Sequence, residues 1–181
     1  MRIIGGEFKG KKLFLPDDKN TRPLRDMVKE SIFNLMQHSK KIKIKIEGSI
    51  VLDLFSGSGS FGLECLSRGA EKVIFFENYF KAIKILNKNI KCFQNKKKCE
   101  IYEDDCFQYF DSDSELNTLF DIIFIDPPYK EKRINVIIDK IVKKKLLKKN
   151  GFIIIHRHKK DTTKISDNLN IFEDRKYGIS R

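Results

Sequence analysis

From residue 50 onward, short apolar runs alternate with longer segments whose apolar residues recur every three or four positions. Runs of this kind bounded by turn residues predict strands at 50–55, 73–77, 99–102, 120–125 and 151–155. The periodic segments predict helices at 60–68, 80–93, 106–110 and 134–142. Phe75, Phe76 and the run IIFI at 122–125 leave no polar face, as expected for strands covered on both sides. Strands and helices in alternation predict an α/β fold, a doubly wound, Rossmann-like parallel sheet.

The flanks read differently. Residues 2–4 and 11–15 predict a β-hairpin joined through Gly5, Gly6 and Gly10, with Lys9, Lys11 and Lys12 making it basic. Met27, Val28, Ser31, Ile32, Leu35 and Met36 predict a helix over 25–38. Lysine and isoleucine alternate through 41–46, which suits an edge strand or a solvated linker. Residues 169–172 can form a further strand, and 177–181 look like the start of another that the chain leaves incomplete. One domain over 1–181 is expected, with a hairpin and helix extension at 1–47 and the core at 48–181.

Composition narrows the class. At 181 residues, 40% hydrophobic and 34% charged, the chain suits a globular domain. The net charge of +12 favours a polyanionic partner such as nucleic acid, although a lysine-rich codon bias gives the same number. Cys65, Cys92, Cys99 and Cys106 form no C-x-x-C pair, so free thiols and no metal site are expected. No signal-peptide pattern or membrane-length apolar run is present, so a cytoplasmic protein, with no membrane partner and monomeric, is expected.

The chemistry gathers where strands end. VLDLFSGSGSFGLE at 51–64 reads as strand, glycine-rich turn and helix, and Gly57, Gly59 and Gly62 fit G-x-G-x-x-G. In a doubly wound sheet the carboxyl ends of the strands hold the ligand, and Asp53, Glu77, Asp105 and Asp126 all fall there. Glu77, twenty residues after Gly57, suits the vicinal hydroxyls of a ribose. Asp53 would repel a pyrophosphate but suits the ammonium and sulfonium of S-adenosylmethionine, which favours that cofactor over a nicotinamide. Asp126-Pro127-Pro128-Tyr129 is the most specific motif. The Asp126 carboxylate and the Pro127 carbonyl can accept hydrogen bonds from one NH₂ group, and Tyr129 offers a stacking face. Two acceptors on an exocyclic amine direct its lone pair toward a methyl donor, so positioning and electrostatics carry the reaction.

RIIGGEFKGKKL at 2–13, TRPLRDMVKESIFNLM at 21–36, VLDLFSGSGSFGLECLSRGA at 51–70 and FDIIFIDPPY at 120–129 together resemble the bacterial RsmD family. The resemblance implies an S-adenosylmethionine-dependent methyltransferase acting on the N2 amine of one guanine in small-subunit (16S) ribosomal RNA. The partner would be that RNA or the small ribosomal subunit particle. It further implies that Asp53, Phe55, Gly57 and Gly59 surround the methionine end of the cofactor and that Glu77 takes the ribose. Asp105 and the Cys106 backbone would meet the adenine, while Asp126, Pro127, Pro128 and Tyr129 would hold the guanine. The chain departs from the family after the fifth strand, where His156-Arg157 replaces a common Glu-His, and at its C-terminal strand.

Topology also sorts the basic residues. Lys96–Lys98, Lys143–Lys145, Lys148 and Lys149 precede strands and would lie on the face away from the cofactor. Lys130, Lys132, Arg133, Arg157, Lys159 and Lys160 follow strands; with Arg22, Arg25 and the hairpin they are the expected phosphate contacts. His156 and His158 share that rim, as base contacts or as loop filler. Three other readings compete: an N6-adenine methyltransferase on DNA or RNA, a catalytically silent RNA-binding assembly factor, and a nicotinamide-dependent oxidoreductase.

Overall fold

The computed structural model describes residues 1–18, 24–42, 44–93, 96–112, 114 and 116–181. Five strands, β1 (Ile50–Leu54), β2 (Lys72–Phe76), β3 (Cys99–Tyr102), β4 (Phe120–Ile125) and β5 (Leu147–Ile155), pair in parallel in the order β3-β2-β1-β4-β5. The chain winds outward from β1 to β3, then crosses back to lay β4 on the other side of β1. That reversal opens a crevice at the carboxyl ends of β1 and β4.

Strand periodicity assigns the side chains to two layers. Val51, Val73, Phe75, Ile122, Phe124 and Phe152 face one core, with α1 (Asp26–His38), α2 (Ser60–Ser67) and α3 (Phe80–Cys92) packed over it. Leu52, Leu54, Ile74, Phe76, Ile123 and Ile125 face the other, covered by α4 (Cys106–Asp111) and α5 (Ile134–Lys143). Glycine lets α2 sit close: a Cβ on Gly62 would stand 2.4 Å from the Phe75 ring.

The N-terminal extension is tied to α2 by a buried charge cluster. Glu64, wholly buried, accepts from Ile4 N (2.8 Å) and from Arg68 Nε (2.8 Å) and lies 3.6 Å from Lys29 Nζ. Lys29, equally buried, donates to the Arg2 carbonyl at 2.6 Å, and burial pulls its ammonium below the ordinary lysine range despite Glu64 and Asp26. Removing one member of such a pair strands the other without water, a larger loss than any surface ion pair.

Several flank expectations are corrected. The hairpin is present but short: Arg2 pairs antiparallel with Lys12, Ile3 N donates to Lys11 O at 2.9 Å and Leu13 N to Met1 O at 3.1 Å. Its turn across 5–10 is tied to α2 through Glu7 N to Ser67 O and Phe8 N to Ser67 Oγ. In α1, Met27 is exposed, while Phe33 and Lys29 complete the buried face. The described residues of 41–46 form a linker, anchored by buried Ile46, and 169–172 form no strand. Residues 177–181 turn on themselves at Gly178 and then lie antiparallel to 157–159, with Arg157 N to Arg181 O at 2.9 Å and the reverse bond at 2.8 Å.

Candidate active site

The parity that builds the core also builds the site. Asp53 shares its face with Val51, and two-residue steps beyond Phe75, Phe124 and Ile154 place Glu77, Asp126 and His156 on that face too. β2, β1 and β4 therefore deliver Glu77, Asp53 and Asp126 to the crevice, while His156 after β5 does not line it but meets Asp126. The cavity there has a volume of about 640 Å³. Asp53, Phe55, Gly57, Glu77 and Tyr79 line one side, Asp126 to Tyr129 the other, and Phe61, stacked on Phe124 at 4.0 Å, forms part of the wall.

The glycine loop is held by its own carboxylates. Glu77 accepts from Gly57 N through Oε2 (2.6 Å) and from Tyr79 N through Oε1 (2.8 Å), which leaves each oxygen a second lone pair. Asp53 accepts from Gly62 N in the first turn of α2 at 3.0 Å. Burial pushes the Asp53 carboxyl up to about 8; the Gly62 N–H opposes that shift, and the charges of Asp126 and Glu77 add to it. A carboxyl under that pressure is relieved by a cationic ligand and not by a pyrophosphate. Phe55 holds φ at 62°, a left-handed conformation that costs a bulky residue energy, and its ring meets Phe107 at 5.8 Å.

The extension closes one side of the cavity. Leu15, Pro16 and Leu24 line it, and Tyr79 Oη donates to Asp18 Oδ2 at 2.8 Å. Asn89, buried on α3, binds the amide and carbonyl of Phe14 and the Ser58 carbonyl, joining the extension to the glycine loop. None of these residues was singled out in the sequence. Asn89 carried a signal there, as a polar residue on an apolar helix face.

The structure separates some predicted site residues from the cavity. Gly59 does not line it; at φ 79° it lies against Leu86, where a Cβ would stand 2.4 Å from a methyl carbon. Asp105 and Cys106 lie beyond its wall: Asp105 caps α4 through Phe107 N (2.8 Å) and reaches lining residue Asn78 at 3.4 Å, while the buried Cys106 thiol is pushed far above its ordinary range. Arg157 is corrected as a phosphate contact. It is buried, ion-paired with Asp161, and donates to Thr163 O at 2.9 Å, so it ties the loop after β5 to the tail. Arg133 is exposed but engaged, bidentate on Glu131 and 3.9 Å above the Phe107 ring. Lys130, Lys132, Lys159 and Arg25 are exposed, and Arg22 lies outside the described residues. Among the described residues, no cluster of His, Cys, Asp or Glu could hold a metal ion, and no helix is long and apolar enough to cross a membrane.

The fold, together with the relatives below, identifies a doubly wound methyltransferase. The family described as Conserved hypothetical protein 95 matches residues 1–181, and the chain belongs to it, the RsmD family that its motifs resemble. The YlbH protein of Bacillus subtilis is 39% identical over 85% of this chain and 80% of its own length. Ribosomal RNA small subunit methyltransferase D of Haemophilus influenzae is 30% identical over 99% of this chain and 90% of its own. The solved structure of yhhF from Escherichia coli superposes with a TM-score of 0.77 at 25% identity, covering 99% of this chain and 93% of that one.

Proposed function

We propose that the chain transfers a methyl group from S-adenosylmethionine to the exocyclic N2 amine of a guanine in small-subunit ribosomal RNA. The observation that carries this reading is the shared cavity. Carboxylates that suit a cationic cofactor line one side, and the Asp-Pro-Pro-Tyr loop lines the other. The name of the Haemophilus relative supplies the substrate class.

The residues present fit the cofactor. Glu77 keeps lone pairs for two ribose hydroxyls, and the buried Asp53 sits where an ammonium or sulfonium would compensate it. The glycine turn brings backbone close to the same space. When bound, S-adenosylmethionine supplies an electrophilic methyl group on a sulfonium. The chain's own task is to present the nucleophile. Asp126 accepts one amine hydrogen and the Pro127 carbonyl the other, Tyr129 stacks on the base, and Asp126 is placed to take the proton that the methylated nitrogen sheds. A guanine paired in RNA must be unstacked to reach this loop, and Lys130, Lys132, Lys159 and Arg25 are exposed for its phosphates.

The deciding experiment is methylation of ribosomal RNA with labelled cofactor, followed by nucleoside analysis. N2-methylguanosine is expected. N6-methyladenosine would replace guanine with adenine as the target, and no transfer with retained RNA binding would favour a silent assembly factor.

A further inference from the structure

The backbone amide of His156 donates to Ile125 O at 2.9 Å, so the residue after β5 lies beside the residue after β4. Its side chain is 5% exposed, and Nδ1 stands 2.7 Å from Asp126 Oδ1. Nε2 is buried with no hydrogen-bond partner among the described residues. These facts select a tautomer. A buried N–H without an acceptor is costlier than a buried lone pair, and a carboxylate is an acceptor, so the proton belongs on Nδ1. Residues 157–159 pair with the chain's last turn, and alternation along this extended stretch turns His158 to the same loop. Its ring packs edge-on against Tyr129 at 4.7 Å, while its Nδ1 accepts from Lys160 N at 3.1 Å. Arg157, between them, points to Asp161.

We propose that His156 is a positioning residue for methyl transfer. Its Nδ1–H fixes Asp126 Oδ1 and thereby commits Oδ2 to the target amine. His158 braces Tyr129 by edge-on ring packing, and the turn at 177–181 pairs with the stretch that carries both histidines. This rests on the reading of Asp126 as the amine's acceptor. A carboxylate free to rotate would offer the amine either oxygen at changing angles, and misplacement by about 1 Å costs on the order of 100-fold in rate. An acid at position 156 would repel Asp126, whereas an imidazole donates to it.

The test compares His156→Leu with His156→Asn, since the Asn amide nitrogen falls near the position of Nδ1. His156→Leu is expected to lower kcat about 10- to 100-fold with an unchanged KM for cofactor, and His156→Asn to restore most of the loss. Wild-type turnover by His156→Leu, or an Asn variant as slow as the Leu one, would overturn the proposal. Nitrogen-15 NMR of the wild-type imidazole reads the bond without any variant. The Nδ1–H tautomer is expected, and an Nε2–H tautomer would refute it. A wild-type protein that binds cofactor yet methylates no guanine would instead overturn the reading of Asp126 on which the proposal rests.

Discussion

The two loops that face each other across the cavity are stabilised in opposite ways. The glycine-rich loop, 55–59, is held through its backbone: Glu77 takes the Gly57 amide, Asn89 donates to the Ser58 carbonyl, Asp53 takes the Gly62 amide just beyond it, and a glycine stands at 59 where α3 comes close. The Asp-Pro-Pro-Tyr loop, 126–129, takes its support through its side chains, His156 on Asp126 and His158 on Tyr129. The first loop is a backbone device and tolerates few residue types. The second is a side-chain device, and its behaviour depends on what a distant segment carries.

Asp126→Asn should show the largest separation between the two sides. It keeps an acceptor for His156 but loses the charge that draws the amine, so kcat should fall about 100- to 1000-fold while cofactor affinity measured by calorimetry hardly moves. A parallel loss of affinity would show that the two loops are not independent. Gly59→Ala attacks the other side. Its left-handed φ should cost about 1–2 kcal/mol in a urea titration, before any displacement of Leu86. An unchanged midpoint would mean that the loop relaxes freely.

Asp53 gives the comparison a pH axis. Its folded-state value of about 8 lies above the ordinary 3.8, so across that window the folded protein holds a proton that the unfolded chain has released. This contribution is complete below about 4 and is lost as pH rises through 8, at up to about 1.4 kcal/mol per pH unit. Cofactor affinity should run the other way, rising toward pH 8 as Asp53 ionises. Asp53→Asn should flatten both profiles, as melting curves and calorimetry at pH 5.5 to 8.5 would reveal. A slope that survives in Asp53→Asn would assign the titration to another group.

The smallest effect concerns the lysines. Charge reversal of Lys130 and Lys132 should weaken RNA binding in filter assays and reduce its salt dependence by about one unit of slope for each phosphate no longer neutralised. The same change at Lys143 and Lys144, at the end of α5, should do neither. Arg133, engaged with Glu131 and Phe107, is a poorer test than the sequence suggested.

Much of this was legible along the chain. Apolar runs bounded by turn residues predicted the five strands, with β5 starting four residues earlier than expected; the signal is strongest for β1, β2 and β4, where burial on both faces leaves little room for polar residues. The glycine loop, Glu77 and Asp-Pro-Pro-Tyr were visible because each is a local motif whose chemistry needs adjacent or closely spaced residues. The outer segments were harder. A hairpin shortened to a single bridge, and 169–172 without a strand, depend on which partner each segment meets, and local propensity does not name the partner.

What the sequence determined by itself, then, was the layered α/β sheet, the glycine-rich turn at 53–59 and the Asp-Pro-Pro-Tyr motif, since periodicity and local spacing encode all three. Only the tertiary structure decided that His156 grips Asp126, that Arg157 is spent on the tail, and that Lys29 is buried beside Glu64. The physical reason is strand registration. Whether a polar residue meets a carboxylate, a phosphate or water is fixed by which strands become neighbours and which face each residue takes, and both are settled only when the sheet closes.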